Sequence, residues 1–493
     1  MASDDARIDD SIPENTFSMK SPYGRRAIGL SVAAAVGGFL FGFDSSVING
    51  AVDSISANFE INDTLTGFVV AVALLGCAVG AMVAGQLSDR WGRLRVMMLG
   101  AAVFLISSIG AGLTFSVPDL LLWRILGGIG IGIASVVAPA YIAEIAPRQV
   151  RGALASLQQL AITLGIFVAL LSDALLAFQA GSASDDLWLG LEAWRWMFLV
   201  GVIPAAVYGI LAFTLPESPR YLIAKGRTEE AREIFARLVP EVDLPQTMRE
   251  LTTAIETDRR NANVSLKGPV LGLQKIVWVG IILSVFQQFV GINVIFYYST
   301  SLWKSVGFTE DDSLTISVFT SVTNVLVTLV AIWLVDRVGR KPILLTGSAI
   351  MTVSLGAMAL CFMSATGTGD NVTLDDPWGT IALISANLFV IGFGASWGPL
   401  VWVLLGEIFP SRIRAKALGV AAAAQWIANF LITVTFPPMS AWSLPITYGM
   451  YAVFAALSFF YVWARIPETK GMELEKTETL FTNPVQHGSA AQR

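Results

Sequence analysis

Histidine is almost missing from this chain: among 493 residues the only one is His487. No Ser/His or Cys/His catalytic pair can therefore form in the body of the protein. Cysteine is nearly as scarce. Cys77 and Cys361 both lie inside apolar blocks, so there is neither a disulfide framework nor the paired spacing of a zinc site. Charge is short as well: Asp, Glu, Lys and Arg make up 14% of the residues, against about 25% in soluble globular domains. The net charge of -5 is spread over short loops and leaves no basic patch for nucleic acid. The opening run Ala2-Ser-Asp-Asp-Ala-Arg-Ile-Asp-Asp10 lacks the basic start of a signal peptide and reads as a disordered cytoplasmic tail.

What fills the chain is apolar residue, 54% of the total. It falls in blocks of about 20 to 25 residues, long enough to cross a hydrocarbon core as helices. The blocks are 27–50, 66–87, 95–115, 118–141, 152–176, 194–215, 275–300, 312–335, 342–364, 378–405, 415–437 and 445–465. The predicted fold is all-α and polytopic, with twelve spans. Lys and Arg collect in alternate loops, at Arg25/Arg26, Arg90/Arg93/Arg95, Arg148/Arg151, Arg337/Arg340/Lys341, Arg412/Arg414/Lys416 and Lys470/Lys476. The opposite loops carry mainly Asp and Glu. The basic side is predicted to be cytoplasmic, with both termini on it, in a cell (plasma or inner) membrane.

The longest connection, 216–274, is charged and contains an amphipathic run at 228–239. It divides the chain into a tail 1–26, a six-helix half 27–215, the linker 216–274, a second half 275–465 and a tail 466–493. The halves repeat their landmarks. Asp89-Arg-Trp-Gly-Arg93 returns 247 residues later as Asp336-Arg-Val-Gly-Arg340. Glu144 and Arg151 return as Glu407 and Arg414, and Pro216-Glu217 as Pro467-Glu468. Two pseudo-symmetric bundles with a site between them follow from this repeat. Positive-inside topology explains the basic residues but not an acid at fixed spacing beside each. Charge pairs joining the two bundles on the cytoplasmic side are therefore expected to act as a gate.

Polar groups inside the spans are functional candidates, because an isolated charge at a helix centre costs about 2.5–3.5 kcal/mol. Asp44 in span 1 and Arg124 in span 4 can offset each other, and the acid can also take a proton. Asp173 lies nearer a span end, so Asp44 reads as the deepest acid of the first half. A static ion pair is the plainer alternative. The run Gly127-Gly128-x-Gly130-x-Gly132 has no preceding strand and reads as close helix packing rather than a nucleotide loop. Gln287, Gln288, Asn293 and Tyr297 of span 7 are too scattered for one face of a regular helix. A break at Gly291 would let them line one cavity. Gln159, Asn324, Trp402, Gln425, Trp426 and Asn429 add amides and indoles. Such a mixture of hydrogen-bonding rims and flat apolar faces suits hydroxyl-rich neutral rings; interhelical amide glue is the plainer reading.

These stretches resemble the sugar porter family of the major facilitator superfamily over nearly the whole chain. The resemblance is carried by Gly42-Phe-Asp-Ser-Ser-Val-Ile-Asn-Gly50, Tyr141-Ile-Ala-Glu-Ile-Ala-Pro147, Pro216-Glu-Ser-Pro-Arg-Tyr-Leu222, Gln287-Gln-Phe-Val-Gly-Ile-Asn293, Glu407-Ile-Phe-Pro410 and Pro467-Glu-Thr-Lys-Gly471, with the two Asp-Arg-x-Gly-Arg repeats. Ser396-Trp-Gly-Pro through Gln425-Trp426 resembles the family's bacterial proton–sugar symporters of the xylose and glucose type. The resemblance implies sugar contacts at Gln159, Gln287, Gln288, Asn293, Trp402 and Gln425. It implies cavity liners at Phe41, Tyr297, Asn324 and Trp426, beside which we place Asn429. Proton coupling falls to Asp44 with Arg124. The gate set is Asp89, Arg93, Glu144, Arg151, Glu217, Asp336, Arg340, Glu407, Arg414 and Glu468. The expected protein is a proton-coupled monosaccharide or polyol symporter working by alternating access as a monomer in the bilayer. No cofactor, metal or enzymatic activity is expected. A passive facilitator is the first rival. A non-transporting receptor and a membrane-embedded enzyme fit less well, since no long signalling tail, nucleophile or metal cluster is seen.

Overall fold

The computed structural model describes residues 21–146, 151–261, 265–366, 373–410 and 413–469. Most of both predicted tails, and Arg148, Arg412, Lys470 and Lys476, lie outside the described residues. Among those described, eleven helices are long and apolar enough to cross a membrane. The last, Arg414–Arg465, is two helices run together across a kink at Ser443, where φ is -166° and ψ is 107°. At 52 residues a straight helix would reach about 78 Å, over twice the hydrocarbon thickness of about 30 Å. Pro437, Pro438 and Pro445 flank the kink and remove backbone donors there. The chain thus crosses twelve times.

Spans 1 to 5 are Pro22–Asn58, Asp63–Trp91, Arg93–Gly112, Val117–Ile145 and Arg151–Ala180. Span 6 is Ala193–Thr214, interrupted at Gly201 shortly before Pro204. Span 7 is in pieces, Lys275–Phe289 and Ile292–Tyr297, followed by Ser299–Lys304. Spans 8 and 9 are Glu310–Val338 and Arg340–Met363. Span 10 is Trp378–Gly394 plus Trp397–Ile408. Spans 11 and 12 are the two arms of the kinked helix. Side chains cap the starts: Ser21 Oγ accepts from Gly24 N–H at 3.0 Å and Asn62 Oδ1 from Leu65 N–H at 2.9 Å.

The linker holds three helices, Pro219–Ala224, Thr228–Phe235 and Leu244–Asn261. The run expected at 228–239 therefore stops at Phe235, and Pro240 prevents the chain from coiling on. Phe235, Leu238, Val239 and Leu244 bury against the first half. Two short strands at the acidic end, Asp186–Trp188 and Leu191–Glu192, pair through Leu189 and Gly190, both at positive φ, as a tight hairpin requires. Span 6 shows how the outer surface meets lipid: Ile203, Val207, Ile210 and Phe213 form an exposed apolar stripe.

Helices in lipid gain little from apolar burial against one another, so they hold by close backbone approach. Spans 2 and 4 do this reciprocally. A Cβ on Gly128 or Gly132 would lie 2.0 and 2.2 Å from the carbonyl oxygens of Ala73 and Cys77. One on Gly76 or Gly80 would lie 2.3 and 2.2 Å from those of Ile125 and Ile129. The glycine run of span 4 is a packing surface. Gly128→Ala should force the two spans apart at a cost of about 1–3 kcal/mol. The detergent-solubilised variant should melt at a clearly lower temperature than the wild type. Gly85→Ala, where nothing lies within 4 Å, should melt normally.

Candidate functional site

The centre of the molecule is built from two broken helices. Gly291 sits at φ 83°, ψ 22°, in the left-handed region, and separates the two pieces of span 7. Span 10 breaks at Ala395–Ser396, and its second piece starts at Trp397. Gln287 reaches across and donates through Nε2 to the carbonyls of Trp397 (2.9 Å) and Gly398 (3.2 Å). Its Oε1 accepts a long bond of 3.5 Å from Gln288 Nε2, and Gln288 Oε1 accepts from Asn293 Nδ2 at 2.6 Å. The break brings three amides that a regular helix would scatter into one chain.

Below it lies the charged pair. Arg124 Nη1 donates to Asp44 Oδ1 and Oδ2 at 3.3 and 3.4 Å, and Nη2 to Val70 O at 3.3 Å. Those lengths exceed the 2.7–2.9 Å usual for a charge-assisted bond. Arg124 Nε has no partner, and the guanidinium lies 5.9 Å from the Phe198 ring centre. Both side chains are buried. Two small cavities flank the pair. One is lined by Phe43, Ser107, Ser108 and Phe198, the other by Ser45, Val70, Cys77 and Tyr297. Tyr297 belongs to the second half of the chain, so the acid of the first half faces a wall supplied by the other. The Tyr297 hydroxyl faces Ser45 and Asn429 without closing a hydrogen bond.

Other predicted residues fall variously. Phe41 and Trp426 meet edge to face across the halves with centroids 5.5 Å apart. Asn429 is buried and accepts from Thr433 Oγ1 at 3.1 Å. Asn324 is buried beside Gly394. Gln159 is half-buried, and Gln425 Oε1 is buried without a partner. Trp402 stands apart: its residue is 41% exposed, and Gly406 one turn on has nothing within 4 Å of its Cβ position. Leu400, Val401 and Leu404 take the packed face of that helix instead. Gln158, not singled out from the sequence, points at Gly38 of span 1 with its Oε1 unpartnered. Its only sequence signal is an amide inside a span.

The gate residues form two copies of one cluster. In the first, Arg93 donates to Glu144 through Nε (3.0 Å) and Nη2 (2.9 Å) and to Asp89 Oδ1 through Nη1 (3.1 Å). Glu217 Oε1 accepts from Arg93 N–H at 3.0 Å, and the Ser218 hydroxyl donates to Glu144. In the second, Arg340 Nη2 donates to Glu407 at 2.8 Å, Glu468 Oε1 accepts from Arg340 N–H at 3.0 Å, and Thr469 Oγ1 donates to Glu407 at 2.6 Å. Each of these bonds runs within one half. The reason is local. Glu217 and Glu468 cap the starts of spans 3 and 9, where free amides favour a carboxylate. Gly92 and Gly339, at φ 96° and 111°, leave the room that a Cβ would take from those carboxylates. Arg414 Nε donates to Phe409 O at 3.1 Å. The side chains of Arg151 and Asp336 lie outside the described residues.

The halves are tied together instead at the acidic end. Lys304 Nζ sits 2.9 Å from Asp53 and 3.6 Å from Glu310. Ser301 Oγ donates to Asp53 at 2.5 Å, Thr300 N–H to Asn49 Oδ1 at 3.0 Å, and Ala183 N–H to Glu310 at 2.8 Å. Partial burial works against the Lys304 ammonium, but the Asp53 and Glu310 carboxylates outweigh it and hold its pKa above the usual lysine value. Spans 1 and 7 are thereby latched at one end.

Comparison with known proteins fits this geometry. A family model described as sugar (and other) transporter matches residues 30–481. The chain is 53% identical over 449 residues to a glucose transport protein of Synechocystis sp., covering 91% of this chain and 96% of that one. It is 36% identical over 485 residues to the D-xylose-proton symporter of Escherichia coli, covering 92% and 95%. The inward-open structure of the E. coli xylose transporter aligns with a TM-score of 0.78 at 34% identity, over 92% of this chain and 99% of that one.

Removing the latch cation should loosen the acidic end. In Lys304→Ala, a cysteine introduced at position 300 should react faster with a membrane-impermeant thiol reagent than the same cysteine beside Lys304. An unchanged rate would mean that the Asn49 contact alone keeps the end closed.

Proposed function

The chain belongs to the sugar transporter family, and we propose that it is a proton-coupled symporter of a monosaccharide or related polyol, working by alternating access. It is a multi-pass integral membrane transporter, not an enzyme. The observation that carries the proposal is the Asp44–Arg124 pair, buried in the first half and walled by Tyr297 of the second. Tyr297 ends the same short helix that begins with Ile292 and carries Asn293 of the amide chain. Sugar engaging Gln288 and Asn293 would move that helix, and the helix is one wall of the proton site. The relatives' names, a glucose transport protein and a D-xylose-proton symporter, support the substrate class.

In this reading a proton on Asp44 cancels its attraction for Arg124 and lets span 1 move against span 4. The ion pair is already long, so little holds it once the charge is gone. Sugar binds to Gln288, Asn293, Gln159 and Gln425, with Trp402, Trp426, Phe41, Asn324 and Asn429 lining the route. Gln287 is committed to span 10 while the acidic end is latched, and it is freed for sugar when that end opens. The Arg93 and Arg340 clusters brace the inner end of each half as it rocks. The basic end faces the cytoplasm with both termini, in the plasma or inner membrane, and one chain suffices. A passive facilitator, with Asp44–Arg124 only structural, is the alternative.

Asp44→Asn separates the two. Asparagine mimics the protonated acid permanently, so uphill accumulation in proteoliposomes under a pH gradient should vanish while counterflow of preloaded sugar continues. Accumulation by the variant would remove Asp44 as carrier. A wild type that never accumulates sugar would make the protein a facilitator.

The sugar site has its own test. Gln288→Ala removes the acceptor of the Asn293 amide and a partner for ring hydroxyls, at about 1–3 kcal/mol. Calorimetric titration with glucose and xylose should show binding weakened by roughly 5- to 150-fold, with the melting temperature nearly retained. Unchanged affinity would make span 7 helix glue.

A further inference from the structure

Asp173 of span 5 is the most deeply buried acid of the first half, at 0% exposure against 8% for Asp44. Its position nearer a span end in sequence conceals this. Oδ2 accepts one long bond, 3.3 Å, from the Gly50 N–H of span 1, and Oδ1 has no partner. Gly50 makes the approach possible, since a Cβ there would lie 2.7 Å from the Asp173 Cβ and 2.9 Å from Met197 Sδ.

Among the described residues Asp173 has no cationic partner. Of the charged groups on the elements packed against span 5, Arg124 faces Asp44, and Arg195 is bonded to Glu192 and the Thr114 carbonyl. Asp53 and Glu310 share Lys304, and Asp119 is bonded to Thr114 and Trp123. Asp186, Asp311 and Asp312 are acids at the chain's acidic end. Tyr208 is a further titratable group, on span 6. A carboxylate with one long hydrogen bond and no counter-charge is not sustained in a dry interior. This dry, closed surrounding suits the neutral acid.

The face of span 1 beside it indicates where that proton enters. Ser46, Asn49, Gly50 and Asp53 stand at i, i+3, i+4 and i+7, one side of the helix. Asn49 and Asp53 are covered by Thr300, Ser301 and Lys304 of the other half. Three buried polar atoms here, Ser46 Oγ, Asn49 Nδ2 and Thr300 Oγ1, have no partner among the described residues. Orphaned groups of this kind call for water in some state of the molecule. Gly50 of the same face brings the backbone of span 1 against Asp173, so an opening of the latch would bring water nearest to the acid along this side.

We propose that Asp173 is a second proton-binding site of the transport cycle, loaded from the acidic face, and that the latch between Asn49–Asp53 and Thr300–Lys304 closes only after it is protonated. The proton comes from outside water onto a carboxylate oxygen and leaves to water when the site is next wetted. The ionised acid would hold the latch open, because closing would strand its charge. The inference rests on the transport reading, and the test keeps the two apart.

Counterflow in proteoliposomes is measured at a series of pH values, equal inside and outside, so that no gradient drives accumulation. In D44N, counterflow should slow as the pH rises, because Asp173 must still be protonated for the latch to close. In D44N/D173N it should be independent of pH, asparagine standing in for the neutral acid. A flat profile in D44N, or an undiminished slope in the double variant, overturns the proposal. Should the double variant not transport, infrared spectra of purified wild type minus D173N decide: a protonated-carboxyl band missing from the variant is expected, and its absence from the difference overturns the proposal. Failure of the wild type to accumulate sugar would overturn the symport reading alone, leaving the pH profile of exchange to judge Asp173.

Discussion

A polar atom in a bilayer core that finds no partner in the protein has no water to fall back on. Most of this architecture answers that constraint. Continuous helices bond their own backbone. Where spans 7 and 10 break, the buried Gln287 amide finds its acceptors in the carbonyls of Trp397 and Gly398, at the start of the second piece of span 10. That amide ties the first piece of span 7 to the second piece of span 10. Breaking a helix costs hydrogen bonds, so the breaks mark where the molecule needs irregular backbone.

The ends of the spans meet the same constraint with charge. Arg93–Glu144–Glu217 and Arg340–Glu407–Glu468 have one geometry, down to a positive-φ glycine beside each capping carboxylate. The repeat was legible in sequence because an acid at fixed spacing from a basic turn survives as a pattern of letters. Its role in the fold was not. Sequence spacing says that two charges lie near one another, but not whether a third element of the same half reaches them first. Glu217 and Glu468 do so, since each follows the sixth span of its half and returns to the start of the third.

Residues read from the sequence separate along similar lines. The twelve crossings, the break at Gly291 and the packing role of Gly128 and Gly132 follow from hydropathy, backbone permissiveness and size, which are properties of a residue and its near neighbours. The Leu189–Gly190 hairpin and the helix at 244–261 were not foreseen, since short polar segments carry little periodicity. Trp402 shows a further limit. An indole inside an apolar span does not say which face of the helix is packed, and here Leu400, Val401 and Leu404 take that face. Asp173 shows the converse: distance from a span end along the chain is a poor measure of burial when neighbouring helices extend past it.

Span 1 joins these themes. It carries Asp44 toward Arg124, Gly50 toward Asp173, and Asn49 with Asp53 toward the other half. Three different contacts therefore act on one continuous helix of 37 residues. A rigid helix cannot satisfy a change at one of them without displacing the others, whereas a broken one could. Span 7, its partner across the halves, is broken at Gly291 and carries the amides on one side of the break and the latch residues on the other. The stiff helix holds Asp44 and Asp53, and the jointed helix holds Gln287, Gln288 and Asn293. In the proposed cycle a proton on the first would act as a displacement of the whole span and sugar on the second as a movement of Ile292–Tyr297, and the two would meet at the cavity that Asp44 and Tyr297 line together.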